Sequence, residues 1–204
     1  MRPAAGAPAR FKTWDSAERK IPLSALVTSA RAPDAEIVRF VAAVVVAALV
    51  AAPAGLAAER QTGLESAVIR QINQVRRSHG LKPLALSTKL SSAAAQHTRE
   101  MGSDGYFEHS SYDKSPFWKR IERWYPSAGW SSWAVGENIL WSSPDLTATS
   151  TVSNWMNSPG HRANLLARSW HEVGISAIHF DSAPGAYGDQ PVTIVTADFG
   201  ARHY

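Results

Sequence analysis

The stretch that decides the fold is residues 172–200, EVGISAIHFDSAPGAYGDQPVTIVTADFG. Its first part, residues 172–180, alternates two sets of side chains with a period of two, which is typical of a strand. Its last part, residues 191–200, is a β-branched run typical of a strand buried on both faces. Residues 137–141, ENILW, indicate a further short strand.

Helical patterns precede these strands. Residues 64–75 carry apolar side chains at helical spacing and end before His79-Gly80, and Ser87 can cap a second helix whose inner face runs from Leu90 to Met101. Three Ser-Pro pairs each offer a Ser N-cap followed by Pro at the first helical position, and so predict three more helices. These pairs are Ser115-Pro116, Ser143-Pro144 and Ser158-Pro159.

The order of these elements favours one fold class. Helices come first, strands come late, and no regular β-α-β alternation is present. This order predicts an α+β domain in which helices cover a mostly antiparallel sheet.

The N-terminal part of the chain predicts export. Residues 40–52 form an apolar run, FVAAVVVAALVAA, which follows Arg39 and leads into small residues, as in a secretory signal. The alternative is a membrane anchor, because residues 40–58 carry no charge and are just long enough to span. We therefore expect a signal peptide or signal anchor at 37–58 and an exported domain at 59–204. Residues 1–36 are expected to be a disordered extension, or the product of a start codon placed too early.

Composition excludes several classes of function. Residues 59–204 carry 14 Lys and Arg against 13 Asp and Glu with no long basic run, so nucleic-acid binding is not expected. The chain has no cysteine, which excludes disulfides, thiolate catalysis and cysteine-ligated metals. The motifs G-x-S-x-G, G-x-G-x-x-G and H-E-x-x-H, and the P-loop, are also absent from the sequence.

The candidate functional side chains stand near the boundaries of predicted elements. His109 follows Phe107-Glu108, and Glu137 opens a predicted strand in the sequence GENI. His161 stands in the first turn of the helix that begins at Ser158-Pro159, where the helix dipole disfavours a positive charge and favours a neutral imidazole. Taken singly, each residue favours a structural role over a functional one.

Four motifs in a fixed order resemble a known family. GYFEHSS, GENIL, WMNSPGHRANLL and EVGIS together resemble the CAP superfamily of cysteine-rich secretory, antigen 5 and pathogenesis-related-1 proteins, in a cysteine-free bacterial form. The resemblance covers about residues 63–201 and implies a three-layer α-β-α sandwich. It also implies a cleft in which His109, Glu137 and His161 hold a divalent cation, with zinc the natural candidate.

The sequence departs from the family pattern at one acid. Many members carry a second Glu after the residue that matches Trp155, whereas here Met156 to Ser158 follow, so weaker metal binding is expected. Arg162 is expected to anchor a carboxylate, either Glu108, Glu172 or a group of the ligand. His97 is interpreted as a hydrogen-bonded histidine of the core or cleft floor, outside the site; His79, His171 and His179 are also interpreted as structural.

An aromatic loop precedes Glu137. Residues 124–133, WYPSAGWSSW, hold three Trp and one Tyr. The loop either folds as a lid over a small satellite core or forms an aromatic wall for a glycan or lipid near the cleft.

These features lead to one main functional hypothesis and two rivals. The main hypothesis is an exported domain that binds an extracellular or cell-envelope ligand (a lipid, glycan or peptide) at the His/Glu cleft. One rival is a metal-assisted hydrolase of peptide or cell-wall bonds, in which Glu137 is the general base. The other is a purely structural surface protein. Membrane contact is expected only through an N-terminal anchor, and the sequence leaves the oligomeric state open.

Overall fold

A computed structural model describes the backbone of Arg19–Lys20 and all of residues 58–204. This part of the chain contains six strands and five α-helices. The strands are β1 (Arg19–Lys20), β2 (Ala58–Arg60), β3 (Ala85–Leu86), β4 (Ser132–Ser142), β5 (Glu172–Ala183) and β6 (Gln190–His203). The helices are α1 (Thr62–Ser78), α2 (Thr88–Asp104), α3 (Phe117–Trp124), α4 (Ala148–Asn157) and α5 (Pro159–Leu166).

The three long strands form an antiparallel sheet with β6 at its centre. The strand order is β1-β4-β6-β5-β2, and the short β3 pairs parallel with β5. The register places Glu137 of β4 directly opposite Asp198 of β6. Because side chains alternate along a strand, these two acidic side chains lie on the same face of the sheet.

Helices cover both faces of the sheet. On one face, Val68 of α1, Trp155 of α4 and Leu165 of α5 pack into a cluster with Phe199 of β6. On the other face, α2 and α3 pack against β4 through residues that include Leu90, Ile121 and Val135. The predicted α+β fold, a three-layer α-β-α sandwich with a mostly antiparallel sheet, is therefore confirmed.

Two of the three predicted Ser-Pro helix starts are close to the observed ones. Ser158 is the N-cap of α5 with Pro159 at the first helical position, and α3 begins directly after Pro116. The prediction at Ser143-Pro144 is wrong, because the next helix begins only at Ala148. There Thr147 and Ser150 cap each other's backbone N–H groups, and this reciprocal pair fixes the start of α4 four residues later than Pro144.

Most of the predicted N-terminal organisation lies outside the described residues. This applies to the signal peptide or anchor, apart from Ala58, and to the extension, apart from Arg19–Lys20. These two residues of the extension pair with Val135 and Ala134 as an edge strand. Among the helices of the described part, none has the length and apolar character needed to cross a membrane.

Candidate functional site

A fully buried carboxylate lies at the centre of the candidate site. Glu137 is 0% exposed, and both of its oxygens are engaged. Its Oε1 lies 2.8 Å from Nδ1 of His109, and its Oε2 lies 2.9 Å from Nδ1 of His97. Since an ionised carboxylate only accepts hydrogen bonds, each imidazole donates through Nδ1.

A guanidinium completes the group around Glu137. Arg120 of α3 donates through Nη2 to Oε2 of Glu137. Its Nη1 donates to the Ser111 hydroxyl at 3.1 Å and to the carbonyl of His109 at 3.4 Å. Arg120 therefore connects α3, the His109 loop and β4, and fixes the position of the loop relative to the carboxylate.

The charges in this group follow from burial and pairing. Burial alone would raise the pKa of Glu137, but Arg120 and the two imidazoles outweigh it and hold the pKa well below its usual range. Burial also lowers the pKa of His97, although the charge of Glu137 opposes this effect. At neutral pH the group therefore contains an ionised Glu137, a cationic Arg120 and a neutral His97.

Asp198 adds a second buried carboxyl beside Glu137. It is 0% exposed and lies opposite Glu137 in the β4–β6 pair. Burial raises its pKa well above the usual range, and the negative charge of Glu137 raises it further. The same surroundings thus shift the pKa values of the two neighbouring carboxyls in opposite directions, up for Asp198 and down for Glu137.

His161 is buried on α5 and is connected to the site through main-chain groups. Its carbonyl accepts a hydrogen bond from Asn138 Nδ2 at 3.1 Å. Asn164, one turn further along α5, donates to the carbonyl of Glu137 at 3.2 Å and to Asn138 Oδ1 at 2.9 Å. The motif SPGHRAN thus ties α5 to the part of β4 that carries Glu137.

The two glutamates that Arg162 is expected to contact have other partners. The side chain of Arg162 is exposed. Glu108 pairs with Lys114 at 3.1 Å, and Glu172 accepts from the Tyr125 hydroxyl at 2.5 Å. Neither of these contacts involves Arg162, and its expected contact with Glu108 or Glu172 stays a prediction. A contact of Arg162 with a ligand stays a prediction.

The donor set around Glu137 bears on the expected zinc ion. Both carboxylate oxygens are directed at N–H donors, one of them the cationic Arg120, which competes with a metal for the same lone pairs. Within residues 58–204, no three His, Asp or Glu side chains are grouped to hold a metal ion. Metal coordination by Glu137 would therefore compete with these hydrogen bonds. Zinc binding at His109, Glu137 and His161 stays a prediction from the resemblance.

Sequence reasoning placed His109 and Glu137 together but missed three of their neighbours. The sequence places His97 in the core or on the cleft floor, outside the site, because it lies on the apolar face of α2. In the structure its ring is fully buried and hydrogen-bonded to Glu137, which places it in the group. Arg120 and Asp198 had no motif to mark them, and Asp198 is recognisable only from the strand register.

Two of the four aromatic side chains of the loop, Tyr125 and Trp133, are buried, whereas Trp124 is exposed. Trp133 is buried against Ile121 and Val135, and its Nε1 donates to the Tyr125 carbonyl at 2.9 Å. The guanidinium of Arg202 lies 3.7 Å from the ring centre of Tyr125. This packing favours the satellite-core interpretation over the aromatic wall.

The fold and these motifs define the class of protein. The profile of the CAP, or cysteine-rich secretory protein, family matches residues 69–199, and the chain belongs to this family. The absence of cysteine agrees with a cysteine-free bacterial type.

Three similar proteins illustrate the relationship. The uncharacterized protein YkwD of Bacillus subtilis is 32% identical over 118 residues, which are 58% of this chain and 44% of that protein. An extracellular protein containing an SCP domain from Bacillus anthracis has a TM-score of 0.53 at 25% identity, over 69% of this chain and 41% of that one. An outer surface protein from Borrelia burgdorferi has a TM-score of 0.56 over 72% of this chain and 99% of that one; its 17% identity shows the shared fold alone. The chain thus spans less than half of the length of YkwD.

Proposed function

We propose that this chain is an exported CAP domain that binds an extracellular or cell-envelope ligand at the surface around His109. Export is supported by the apolar segment at residues 40–52 and by the extracellular and outer-surface proteins that share the fold. The segment functions either as a cleaved signal or as an anchor, and both place residues 59–204 outside the membrane.

The observation that carries the proposal is the unequal exposure of the group around Glu137. The side chains of His97 and Glu137 are 0% exposed and that of Arg120 is 1% exposed, whereas that of His109 is 14% exposed. A ligand therefore meets the group at His109, and Glu137 fixes the orientation of that ring from behind. Preorganised polar groups of this kind reduce the cost of ordering on binding.

Aromatic side chains lie beside both imidazoles of the group. The ring of Tyr106 lies 6.1 Å from that of His97 and 5.8 Å from that of the exposed Tyr112. The Phe117 ring lies 6.4 Å from that of His109. Apolar surface beside one oriented polar group suits a ligand that offers both an apolar part and a hydrogen-bonding group.

A hydrolase is the second candidate, and the contact between His109 and Glu137 favours one form of it. A carboxylate that orients an imidazole through Nδ1 is the arrangement found behind histidine general bases. In this form His109 is the general base that takes up a proton from the attacking water, and Glu137 orients the imidazole of His109. Glu137 itself is poorly suited to be the base, because it is fully buried and its pKa is lowered.

The test compares the full chain with His109→Ala on three probes: soluble muropeptides, phosphatidylglycerol vesicles and a mixed tripeptide library. We expect one probe to bind, and its affinity to fall by about tenfold or more in His109→Ala, which removes the exposed hydrogen-bonding group. His79→Ala, at the exposed C-terminal end of α1, is the matched control and should bind as the unmodified chain does.

Mass spectrometry of the same samples separates the two candidates. Products that form with the unmodified chain and disappear with His109→Ala would establish the hydrolase. Equal binding of every probe to both histidine variants would overturn the proposed site.

A further inference from the structure

A second candidate site lies at the outer edge of β5. There a groove of about 430 Å³ opens between α1 and α2, lined by residues that include Arg60, Glu65, Arg70, Leu86, Ala95 and Ile175. Its volume falls within the range of about 300–1,000 Å³ that is typical of small-ligand pockets. None of the side chains around Glu137 lines this groove.

The groove coincides with a gap in strand pairing. On this edge β3 pairs with residues 172–173 of β5 and β2 pairs with residues 178–180, so residues 174–177 lie between the two short strands. The carbonyl of Val173 accepts from the N–H of Ser87, and that of Ala177 accepts from the N–H of Gln61. Because main-chain groups alternate in direction along a strand, Ile175 also directs its N–H and C=O to this edge.

Two residues further along β5, at Ala177, the side chain of Glu65 takes the place of a strand partner. Oε1 of Glu65 accepts a hydrogen bond from the N–H of Ala177 at 3.1 Å. Arg60 holds this carboxylate in place with two hydrogen bonds of 2.8 and 2.9 Å. Within residues 58–204, the edge of β5 thus has a strand or a side-chain partner at Val173 and Ala177, and no strand pairs with it at Ile175.

The lining of the groove carries a net positive charge, which favours a ligand with a negatively charged group. Arg60 is neutralised by Glu65, while Arg70 is exposed and forms no ion pair with the described residues. Thr88 and Ser91, in the first turn of the 17-residue α2, also line the groove, so the positive end of that helix faces it. The apolar part of the lining includes Leu86, which is 63% exposed.

We propose that this groove binds an extended peptide. The main chain of the peptide pairs with the N–H and C=O of Ile175, its carboxylate contacts Arg70, and a small apolar side chain packs against Leu86. This is the addition of a strand to an open sheet edge, in which main-chain hydrogen bonds supply affinity and the adjoining pockets supply specificity.

The test uses the full chain labelled with ¹⁵N and the tripeptide acetyl-Ala-Val-Ala with a free carboxylate. We expect a saturable shift of the Ile175 amide signal on titration. The same peptide with a C-terminal amide, or with an N-methyl group at valine, should bind about tenfold more weakly or worse, because each loses one of the proposed contacts.

Variants of the chain locate the site. Arg70→Gln should weaken binding of the free-carboxylate peptide about tenfold and leave binding of the C-terminally amidated peptide unchanged. Arg77→Gln, an exposed position on the same helix outside the groove, should bind as the unmodified chain does. Ala95→Trp should fill the groove and abolish the shift of the Ile175 amide signal. If Ala95→Trp does not fold, the result with Arg70→Gln decides.

Three outcomes would overturn the proposal. The first is an unchanged Ile175 amide signal at saturating peptide, and the second is equal binding of the N-methylated peptide. The third is a shift of Ile175 by octanoate but not by the tripeptide, which would make the groove a fatty-acid site. None of these outcomes depends on His109, so they are independent of the test of the proposed function.

Discussion

The negative charge of Glu137 is balanced by Arg120 at a position that solvent does not reach. Glu137→Gln keeps the shape of the side chain but leaves the buried guanidinium without its counter-charge. We expect a loss of about 3–5 kcal/mol in the free energy of unfolding, as for other broken buried pairs, measured by urea denaturation at pH 7. Glu108→Gln removes the exposed pair with Lys114 and should cost at most about 1 kcal/mol. Equal losses in the two variants would contradict the proposed charge balance.

Replacement of the second buried carboxyl, Asp198, should stabilise the chain, whereas replacement of Glu137 destabilises it. The pKa of Asp198 is raised in the folded state, so folding requires a protonated carboxyl at a pH where the unfolded chain has lost that proton. This contribution is complete below the unfolded pKa of about 3.9 and is lost as the pH rises toward the folded value, by at most about 1.4 kcal/mol per pH unit. Asp198→Asn stays neutral at every pH and should therefore be more stable than the unmodified chain at pH 7.

The measurement for Asp198→Asn is the urea midpoint at intervals from pH 4 to pH 8. The difference between the variant and the unmodified chain should grow as the pH rises from 4 toward the folded pKa of Asp198 and stay constant above it. A variant that is less stable at pH 7, with a constant difference across the range, would show that Asp198 is ionised beside Glu137 in the folded chain.

Among single residues, the sequence identified those that sit in short motifs. His109 and Glu137 could be predicted because FEHS and GENI each fix one residue, and the structure places the two side chains 2.8 Å apart. Arg120 could not be predicted, since its role depends on the angle at which α3 crosses β4. Asp198 meets Glu137, 61 positions earlier in the chain, only through the pairing of β4 with β6.

At the scale of elements, α4 depends on a reciprocal cap. The Thr147 hydroxyl accepts from the backbone N–H of Ser150 at 3.1 Å, and the Ser150 hydroxyl accepts from that of Thr147 at 3.0 Å. Thr147→Ala should lower the free energy of unfolding by about 0.5–2 kcal/mol. Thr149→Ala, in the first turn of the same helix, is the control and should cost less than Thr147→Ala. Thermal denaturation of both variants checks the difference.

The contact between α2 and β5 depends on a glycine. A Cβ at Gly174 would lie 2.0 Å from the backbone N of Ser91 and 2.1 Å from the backbone C of Leu90, so Gly174→Ala would force α2 away from the sheet. We expect a loss of about 1–3 kcal/mol or more. Gly63 in α1 has open space around it, and Gly63→Ala should instead stabilise the chain by up to about 1 kcal/mol. Losses of similar size in the two variants, measured by urea denaturation, would contradict the close packing at Gly174.

Elements were predictable where one periodic pattern ran through them. The apolar spacing of α1 and α2 and the late strands β5 and β6 follow from side chains that repeat every 3.6 or 2 positions. The start of α4 was predicted wrongly, because the Ser143-Pro144 pair satisfies the same local rule as Ser158-Pro159. What distinguishes the two is the competing cap formed by Thr147 and Ser150, a stronger signal placed a few residues later.

At the scale of the molecule, the sequence predicted the helix and sheet layers but not the gap in strand pairing along the outer edge of β5. Helices followed by strands predicted a covered antiparallel sheet, because each element has one apolar side to bury. The gap between β2 and β3 arises from two short edge strands of two or three residues that carry no periodic pattern. Sequence reasoning therefore predicted the core and missed the groove.

The last prediction concerns the domain boundary. All three hydrophobic clusters of the described part lie between Leu64 and Ala201, and β2 begins at Ala58. A chain of residues 58–204 should therefore unfold in one cooperative transition and give dispersed amide signals, because it contains every residue of these three clusters. Removal of residues 58–61 as well deletes β2 and the Gln61 N–H that donates to the Ala177 carbonyl, and should lower the melting temperature. A non-cooperative transition in residues 58–204 would show that the preceding segment is part of the domain.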